Sequence, residues 1–272
     1  MNKLLTANFA RLKKDKVFWI GMTFMFAAGI FGAIMKLIND PTATADQLAL
    51  IFPVFIGIVS AAFCSLFMGT EYSDGTIRNK LIVGHARNAV YLSNLITCSV
   101  AGIFMCLSYI AAVAAFGIPL LGLSERSMWP VAVLILVAFI MVIATAALFT
   151  LMCMLNQNKA TAAVICILFI VALLVVASMI NARLEAPRYY DNYVFTDSLG
   201  NAAAGREENP QYLTGMKREI YQFFLDFLPA GQAIEISSLS APHLWLMPLY
   251  SLIIALVSTV CGLLCFRKKD LK

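Results

Sequence analysis

Six apolar blocks, each long enough to cross about 30 Å of hydrocarbon at about 1.5 Å per residue, constrain this chain more than any other feature. They run Val17–Ile38, Leu48–Gly69, Val90–Leu121, Trp129–Leu155, Ala160–Asn181 and Leu244–Phe266. Hydrocarbon supplies no hydrogen bonds, so each block is read as a helix whose backbone groups are satisfied internally. Of 272 residues, 61% are hydrophobic and 13% charged, against roughly 25% charged in a soluble domain. So little polar surface cannot cover so much apolar mass. The third block is long enough to tilt, or to break near Gly117 and Pro119. All seven cysteines fall inside apolar blocks and are read as small lipid-facing or packing residues. Cys261 and Cys265 lie one turn apart, with no His or carboxylate nearby to complete a metal site. The first 16 residues are too charged, and the first apolar stretch too long, for a cleavable signal peptide.

Lysine and arginine choose the orientation. With both termini in the cytoplasm, 13 of the 20 basic residues face inside against only Asp15, Glu71, Asp74 and Asp270, while the other 11 acidic residues face outside. The net charge of +5 is therefore a topology signal, and no nucleic-acid partner is needed to explain it.

The expected fold is an all-α integral membrane protein forming a single permease domain over 1–272, with three non-spanning pieces. Residues 1–16 place Leu5, Phe9 and Leu12 on one helical face with the basic residues largely off it, which suits an amphipathic helix in the headgroup layer; a plain basic flank reads equally well. Residues 70–89 form a cytoplasmic loop. Residues 182–243 form a large extracellular segment in which Ile220, Phe223, Phe224 and Phe227 recur at helical spacing, so it lies on or dips into the outer leaflet.

The run from Gly69 to Arg87 carries most of the functional information. Glu71, Asp74, Arg78, Lys80 and Arg87 alternate with Tyr72, Ile77, Leu81 and Ile82, and Asp74 and Arg78 form a favourable i, i+4 pair if the segment is helical. Glu71 at the end of a span, Gly75-Thr76, the apolar pair Leu81-Ile82 and the distal Arg87 resemble the membrane subunits of ABC type-2 transporters, the permeases of many bacterial exporters. Gly84-His85 stands where that family often has a proline. The resemblance implies a coupling helix, formed or framed by Glu71, Asp74, Gly75, Thr76, Arg78 and Arg87, that docks on a separate ATP-binding subunit. Glu71 would fix the angle between span and helix, and Gly75 would permit close backbone approach or mark a turn. A second, shorter contact falls on the loop after the fourth span, with Asn156 and Lys159, although polar residues there also suit any tight hairpin. The bland alternative is a solvated basic loop.

No Gly-x-x-x-x-Gly-Lys-Ser/Thr run occurs, so the chain binds no nucleotide by that motif and no cofactor is expected on it; ATP and Mg belong to the partner ATPase. The two histidines, His85 and His243, fall on opposite sides of the membrane, which excludes a shared zinc pair, and nothing marks a nucleophile elbow; the chain is not read as an enzyme. The central turns of the spans hold no Asp, Glu, Lys, Arg or His to relay a coupling ion. The leading expectation is the permease of an ABC exporter in a bacterial cytoplasmic membrane, paired with a second permease subunit, homo- or heteromeric, surrounded by lipid and moving a hydrophobic or amphipathic cargo. Phe55, Phe63 and Phe67 would line its cavity, or simply pack. The alternative is a non-transporting sensor or immunity protein that binds a toxic peptide.

The charge asymmetry predicts opposite sidedness for single cysteines placed at Thr76 and Ser198 in a cysteine-free background. Labelling with an impermeant maleimide should reach Ser198→Cys in intact cells and Thr76→Cys only after lysis; equal labelling from one side overturns the six-span topology.

Overall fold

The computed structural model describes residues 1–40, 42–124, 128–196, 202–239 and 241–269. Among them, six helices are long and apolar enough to cross a membrane, and they coincide with the six apolar blocks to within a few residues. The element order begins with α1 (Asn2–Lys14), α2 (Lys16–Asn39), α3 (Ala45–Ala49), α4 (Phe52–Ser73) and α5 (Thr76–Ile82). It continues with α6 (Arg87–Ala112), α7 (Ile118–Leu121), α8 (Trp129–Leu155) and α9 (Lys159–Leu184). A hairpin of β1 (Tyr189–Thr196) and β2 (Ala202–Glu208) follows, then α10 (Gly215–Phe227), α11 (Pro229–Ser237) and α12 (Leu246–Lys268).

The spans are α2, α3 with α4, α6 through α7, α8, α9 and α12. The third neither breaks nor runs straight: one turn of π-helix, Val113–Gly117, joins α6 to α7. Pro119 has no N–H to return to the preceding turn, and a wider turn accommodates the missing bond. The second span is interrupted earlier than its hydropathy suggests, because the chain bends at Leu50–Ile51 and restarts with Pro53 in the first turn of α4.

α4 and α8 are the most buried spans, α9 the least. α4 packs on α2, α6, α8 and α9, and α8 packs on α12. Lipid tails are as apolar as the side chains, so close fit holds such helices together. Phe52, Phe63, Phe67, Tyr91, Tyr109 and Phe149 are all fully enclosed. Five of the seven cysteines are buried in the packing and two, Cys261 and Cys265, are exposed on α12; the Sγ atoms of Cys153 and Cys166 meet at 3.5 Å between α8 and α9.

At one end, called the basic end here, lie α1, α5 and the last turn of α12. At the other lie the hairpin, α10 and α11. The antiparallel hairpin, register Tyr189↔Glu208 to Thr196↔Ala202 with an irregularity between Tyr190 and Tyr193, has no counterpart in the sequence reading of this segment. Asn209 closes its base, donating to the Pro187 carbonyl (2.9 Å) and accepting from the Tyr190 hydroxyl (2.9 Å). α10 and α11 pack onto the ends of the spans, α11 against α4, α8 and α9.

Tyr91 of α6 is pressed against Gly262 of α12, where any Cβ would collide with its hydroxyl. That hydroxyl is buried without a hydrogen-bond partner among the described residues. Gly262→Ala should destabilise the protein by about 1–3 kcal/mol. Tyr91→Phe, which removes only the orphaned oxygen, should be near neutral. The two should couple in a double-mutant cycle measured by thermal unfolding in detergent, with Gly262→Ala cheaper in the Tyr91→Phe background; additive effects would show that the contact is not what limits α6–α12 packing.

Candidate coupling site

Where α4 leaves the bundle, the chain reverses. Asp74 ends the helix, Gly75 takes φ +67°, and α5 begins at Thr76. Only glycine adopts that left-handed conformation without penalty. No atom outside its chain neighbours lies within 4 Å of where a Gly75 Cβ would stand, so its place here is the turn and not a close approach to a neighbouring span. The same reversal corrects the Asp74–Arg78 pairing: the two are not on one helix, both are exposed, and no ion pair joins them among the described residues. Thr76 turns its hydroxyl back to the Glu71 carbonyl (2.9 Å), capping the last turn of α4.

Glu71 itself is 1% exposed. A buried carboxylate demands compensation, and three elements supply it. Arg11 Nη1 of α1 stands 2.6 Å from Oε1, Lys80 Nζ of α5 stands 2.5 Å from the same oxygen, and Asn94 Nδ2 of α6 donates to Oε2 at 2.8 Å. Lys80 also donates to Asn8 Oδ1 (2.9 Å), and Asn8 Nδ2 donates to Asn94 Oδ1 (2.8 Å). Glu71, Lys80, Asn8 and Asn94 thus close a ring of hydrogen bonds. Arg11 adds a bond to the Phe67 carbonyl and lies 3.9 Å over the Phe67 ring. The ring joins α1, α4, α5 and α6 at one point.

With that joint below it, α5 buries Ile77 and partly buries Leu81, while Arg78, Asn79, Ile82 and Val83 face solvent. Ile82 is 72% and Val83 78% exposed. An apolar tip flanked by Asp74 and Arg78 is therefore held out from the bundle.

Arg87 is used differently from the expectation that it shapes the docking helix. Its guanidinium donates to the carbonyls of Phe266 (3.0 Å), Arg267 (3.2 Å) and Lys269, closing the C-terminus of α12 where the helix dipole favours a cation. Beside it, Lys269 donates to the Met154 carbonyl (2.8 Å) and to the Tyr72 hydroxyl (3.3 Å), and burial draws its pKa down to about 8. Tyr72 also donates to the Met154 carbonyl (2.6 Å).

The loop after α8 lies against this assembly. Lys159 packs on Gly69 and donates to the Thr70 hydroxyl (3.2 Å). The Asn156 side chain donates back to the Met152 carbonyl (2.9 Å), and Asn158 caps α9 by accepting from the Ala160 and Thr161 amides.

Of the three aromatic residues expected at a cavity, only Phe55 is open, 37% exposed. It lines an apolar groove of about 670 Å³ with Phe24, Phe31, Leu48 and Tyr109, and a second of about 270 Å³ beside it. Phe63 and Phe67 stack at 5.2 Å and are 1% and 0% exposed, so they belong to the core, Phe63 touching only the floor of the smaller groove. α4 buries most of its surface, and only the side turned to α2 is left for a ligand.

Sequence reasoning missed Asn8, Arg11 and Asn94 as parts of the site and Val83 as part of its exposed tip; it named Lys80 and Ile82 in the segment, but not Lys80 as the partner of Glu71. A polar Asn94 inside the third apolar block was the one available signal.

Removing Glu71 leaves two cations facing a sealed space. Glu71→Ala should cost about 3–5 kcal/mol, and Asn94→Ala about 1–3 kcal/mol through the freed carboxylate oxygen. Thermal unfolding of the detergent-solubilised protein measures both; a Glu71→Ala variant that melts like the parent removes the ring as the joint.

A family model described as ABC-2 family transporter protein matches residues 4–180. That span contains every residue of the ring, all of α5 and the loop after α8. Comparison with curated proteins found no match. With well over half the chain matched, and with six helices long and apolar enough to cross a membrane among the described residues, the protein belongs to the ABC-2 transporter family of multi-pass membrane permeases.

Proposed function

We propose that this chain is the permease subunit of an ATP-binding cassette exporter, with α5 as the coupling helix. The observation that carries the reading is the exposed Ile82–Val83 tip on a helix fixed by the Glu71 ring. A tip tied through Arg11, Lys80 and Asn94 to three other helices moves with them. Docking of this tip in a groove of a separate ATPase would pass the closure of the ATPase pair directly to α1, α4 and α6. Few anchors dominate such interfaces, and a pair of exposed apolar side chains inside a charged rim is the usual form. Lys159 and Asn156, packed beside the end of α4, offer a second contact.

In this reading both termini are cytoplasmic, the hairpin end faces outside, and the membrane is the bacterial cytoplasmic membrane. Two permeases face each other above two ATPases, which bind ATP and Mg. The groove bearing Phe55 suits a hydrophobic or amphipathic cargo. Because no span carries Asp, Glu, Lys, Arg or His in its central turns, the driving force is ATP and not an ion gradient.

Two outcomes are expected. Ile82→Asp, Val83→Asp and Arg78→Glu should leave unfolding of the permease unchanged yet lower ATPase capture in pull-downs by at least about tenfold, whereas Glu71→Lys should lower both. Normal capture and normal cargo-stimulated hydrolysis with all three exposed variants would reduce the loop to a topogenic linker and favour a sensor or immunity protein that binds a peptide without transporting it. In proteoliposomes containing the ATPase, cargo movement should survive an uncoupler and stop without ATP; loss with the uncoupler at constant ATP would point to a secondary carrier.

A further inference from the structure

At the hairpin end, α10 and α11 meet at a sharp corner. Leu228 alone separates them, extended at φ −74° and ψ 131°, and Pro229 opens α11. Gln232, fully buried, braces the corner: its amide donates to the Asp226 and Met247 carbonyls (2.8 and 3.1 Å) and its oxygen accepts from Ser251 of α12 (2.7 Å).

Inside the corner sit two carboxyl groups, Asp226 of α10 and Glu235 of α11, each 2% exposed. A single amide nitrogen, Gln222 Nε2, donates to both, at 2.7 Å to Asp226 Oδ1 and 2.5 Å to Glu235 Oε1. Two carboxyl groups bridged by one nitrogen are too close to be comfortably ionised together in a site sealed from water. The remaining oxygen of Glu235, Oε2, is buried and meets no donor among the described residues. The remaining oxygen of Asp226 faces His243 Nδ1 at 2.8 Å, and the His243 ring is half exposed, so this group connects the pair to solvent.

We propose that Asp226 and Glu235 form a proton-binding latch that holds α10 folded onto α11, with His243 as its solvent-side partner. The proposal rests on the orientation given above only for which compartment supplies the proton. With a proton on Glu235 Oε2 the pair carries one negative charge, its orphaned oxygen becomes a donor, and Asp226 keeps His243. Without it, two carboxylates share one amide and the corner is pushed apart.

Burial first and the Asp226 charge second raise the Glu235 pKa from the ordinary carboxylate range to about 8. A folded-state pKa raised this way contributes stability that is complete below the ordinary value of about 4.5 and is lost as pH rises through about 8. The latch is therefore closed in acid and opens in alkali. Other ionisable groups around the corner are Arg218 and Glu219 of α10 and Tyr250 of α12, which line the small cleft beside Asp226 and His243. The halves of α4 and α8 that pack on α11 hold no acidic or basic residue, and Arg183 of α9 lines a different groove with Ile220 and Phe224. None of these is placed between Asp226 and Glu235. Proton binding here is regulation at the far end of the molecule and supplies no driving force, since no relay of ionisable residues continues through the spans.

Two readouts on the full-length permease in nanodiscs test the latch without any ATPase, so failure of the exporter reading leaves them intact. Infrared pH titration should show one protonated carboxyl that disappears with a midpoint near pH 8 and is absent in Glu235→Gln. Nitroxide pairs on Met216→Cys of α10 and Leu249→Cys of α12, in a background lacking the native cysteines, should give one narrow distance distribution at pH 5.5 and a longer component above pH 8.5. Glu235→Gln should hold the narrow distribution throughout. A parent protein with no protonated carboxyl at pH 6, or with an unchanged distance distribution across that range, overturns the proposal. So does a Glu235→Gln variant that titrates like the parent.

Discussion

A carboxylate sealed from water has to be met by cations and donors, and the basic end of this protein is organised around meeting one. Glu71 lies at the end of the most enclosed span, and nothing on α4 itself can compensate it. Compensation comes instead from α1, α5 and α6, through Arg11, Lys80 and Asn94. Each of those elements is thereby located relative to α4. The amphipathic α1 is not merely afloat in the headgroup layer, because Asn8 and Arg11 anchor it. The short α5, at seven residues too brief to be stable alone, is positioned by Lys80 and the buried Ile77. The ring is costly to desolvate and does little for net stability compared with an apolar core. What it supplies is a defined angle between helices, which is the property a lever needs.

The bundle above it is held by different means. Lipid gives no hydrophobic reward for joining one helix to another, so the spans associate by close fit and by a few internal polar contacts. Tyr91 against Gly262, the Ser108 hydroxyl on the Met22 carbonyl (2.9 Å) and Tyr109 on the Leu48 carbonyl (3.1 Å) are of this kind. Such packing consumes most of the aromatic residues on α4, which is why Phe67 is unavailable to a ligand. The open groove lies between α2 and α4, on the least covered side of that helix.

The two ends of the molecule handle buried charge in contrasting ways. At the basic end, a carboxylate is flanked by the two cations Arg11 and Lys80 and by the Asn94 amide. At the hairpin end, a carboxyl faces another carboxyl through a shared amide, and a proton is the cheapest compensation. One arrangement is a fixed joint, and the other responds to its surroundings. The spans between them carry no Asp, Glu, Lys, Arg or His in their central turns, so communication from end to end has to pass through helix packing.

Membrane insertion, the number of spans and their limits were legible in the sequence, because hydropathy over some twenty residues is a local property that no tertiary contact overrides in lipid. The turn after α4 was legible through Gly75, and the short helix after it through the alternation of charged and apolar residues from Glu71 onward. The partners of Glu71 were not. Asn8, Arg11, Lys80 and Asn94 are separated from it by between nine and sixty-three residues, and only the folded chain brings them to one carboxylate. Arg87 read, by resemblance, as forming or framing the docking helix; its contacts to the end of α12, about 180 residues away, were not legible. The same separation hid the meeting of Asp226, Glu235 and His243. Local hydrophobicity decides where a chain enters a membrane, but which polar groups share a buried charge depends on how the helices pack, and that is settled only in three dimensions.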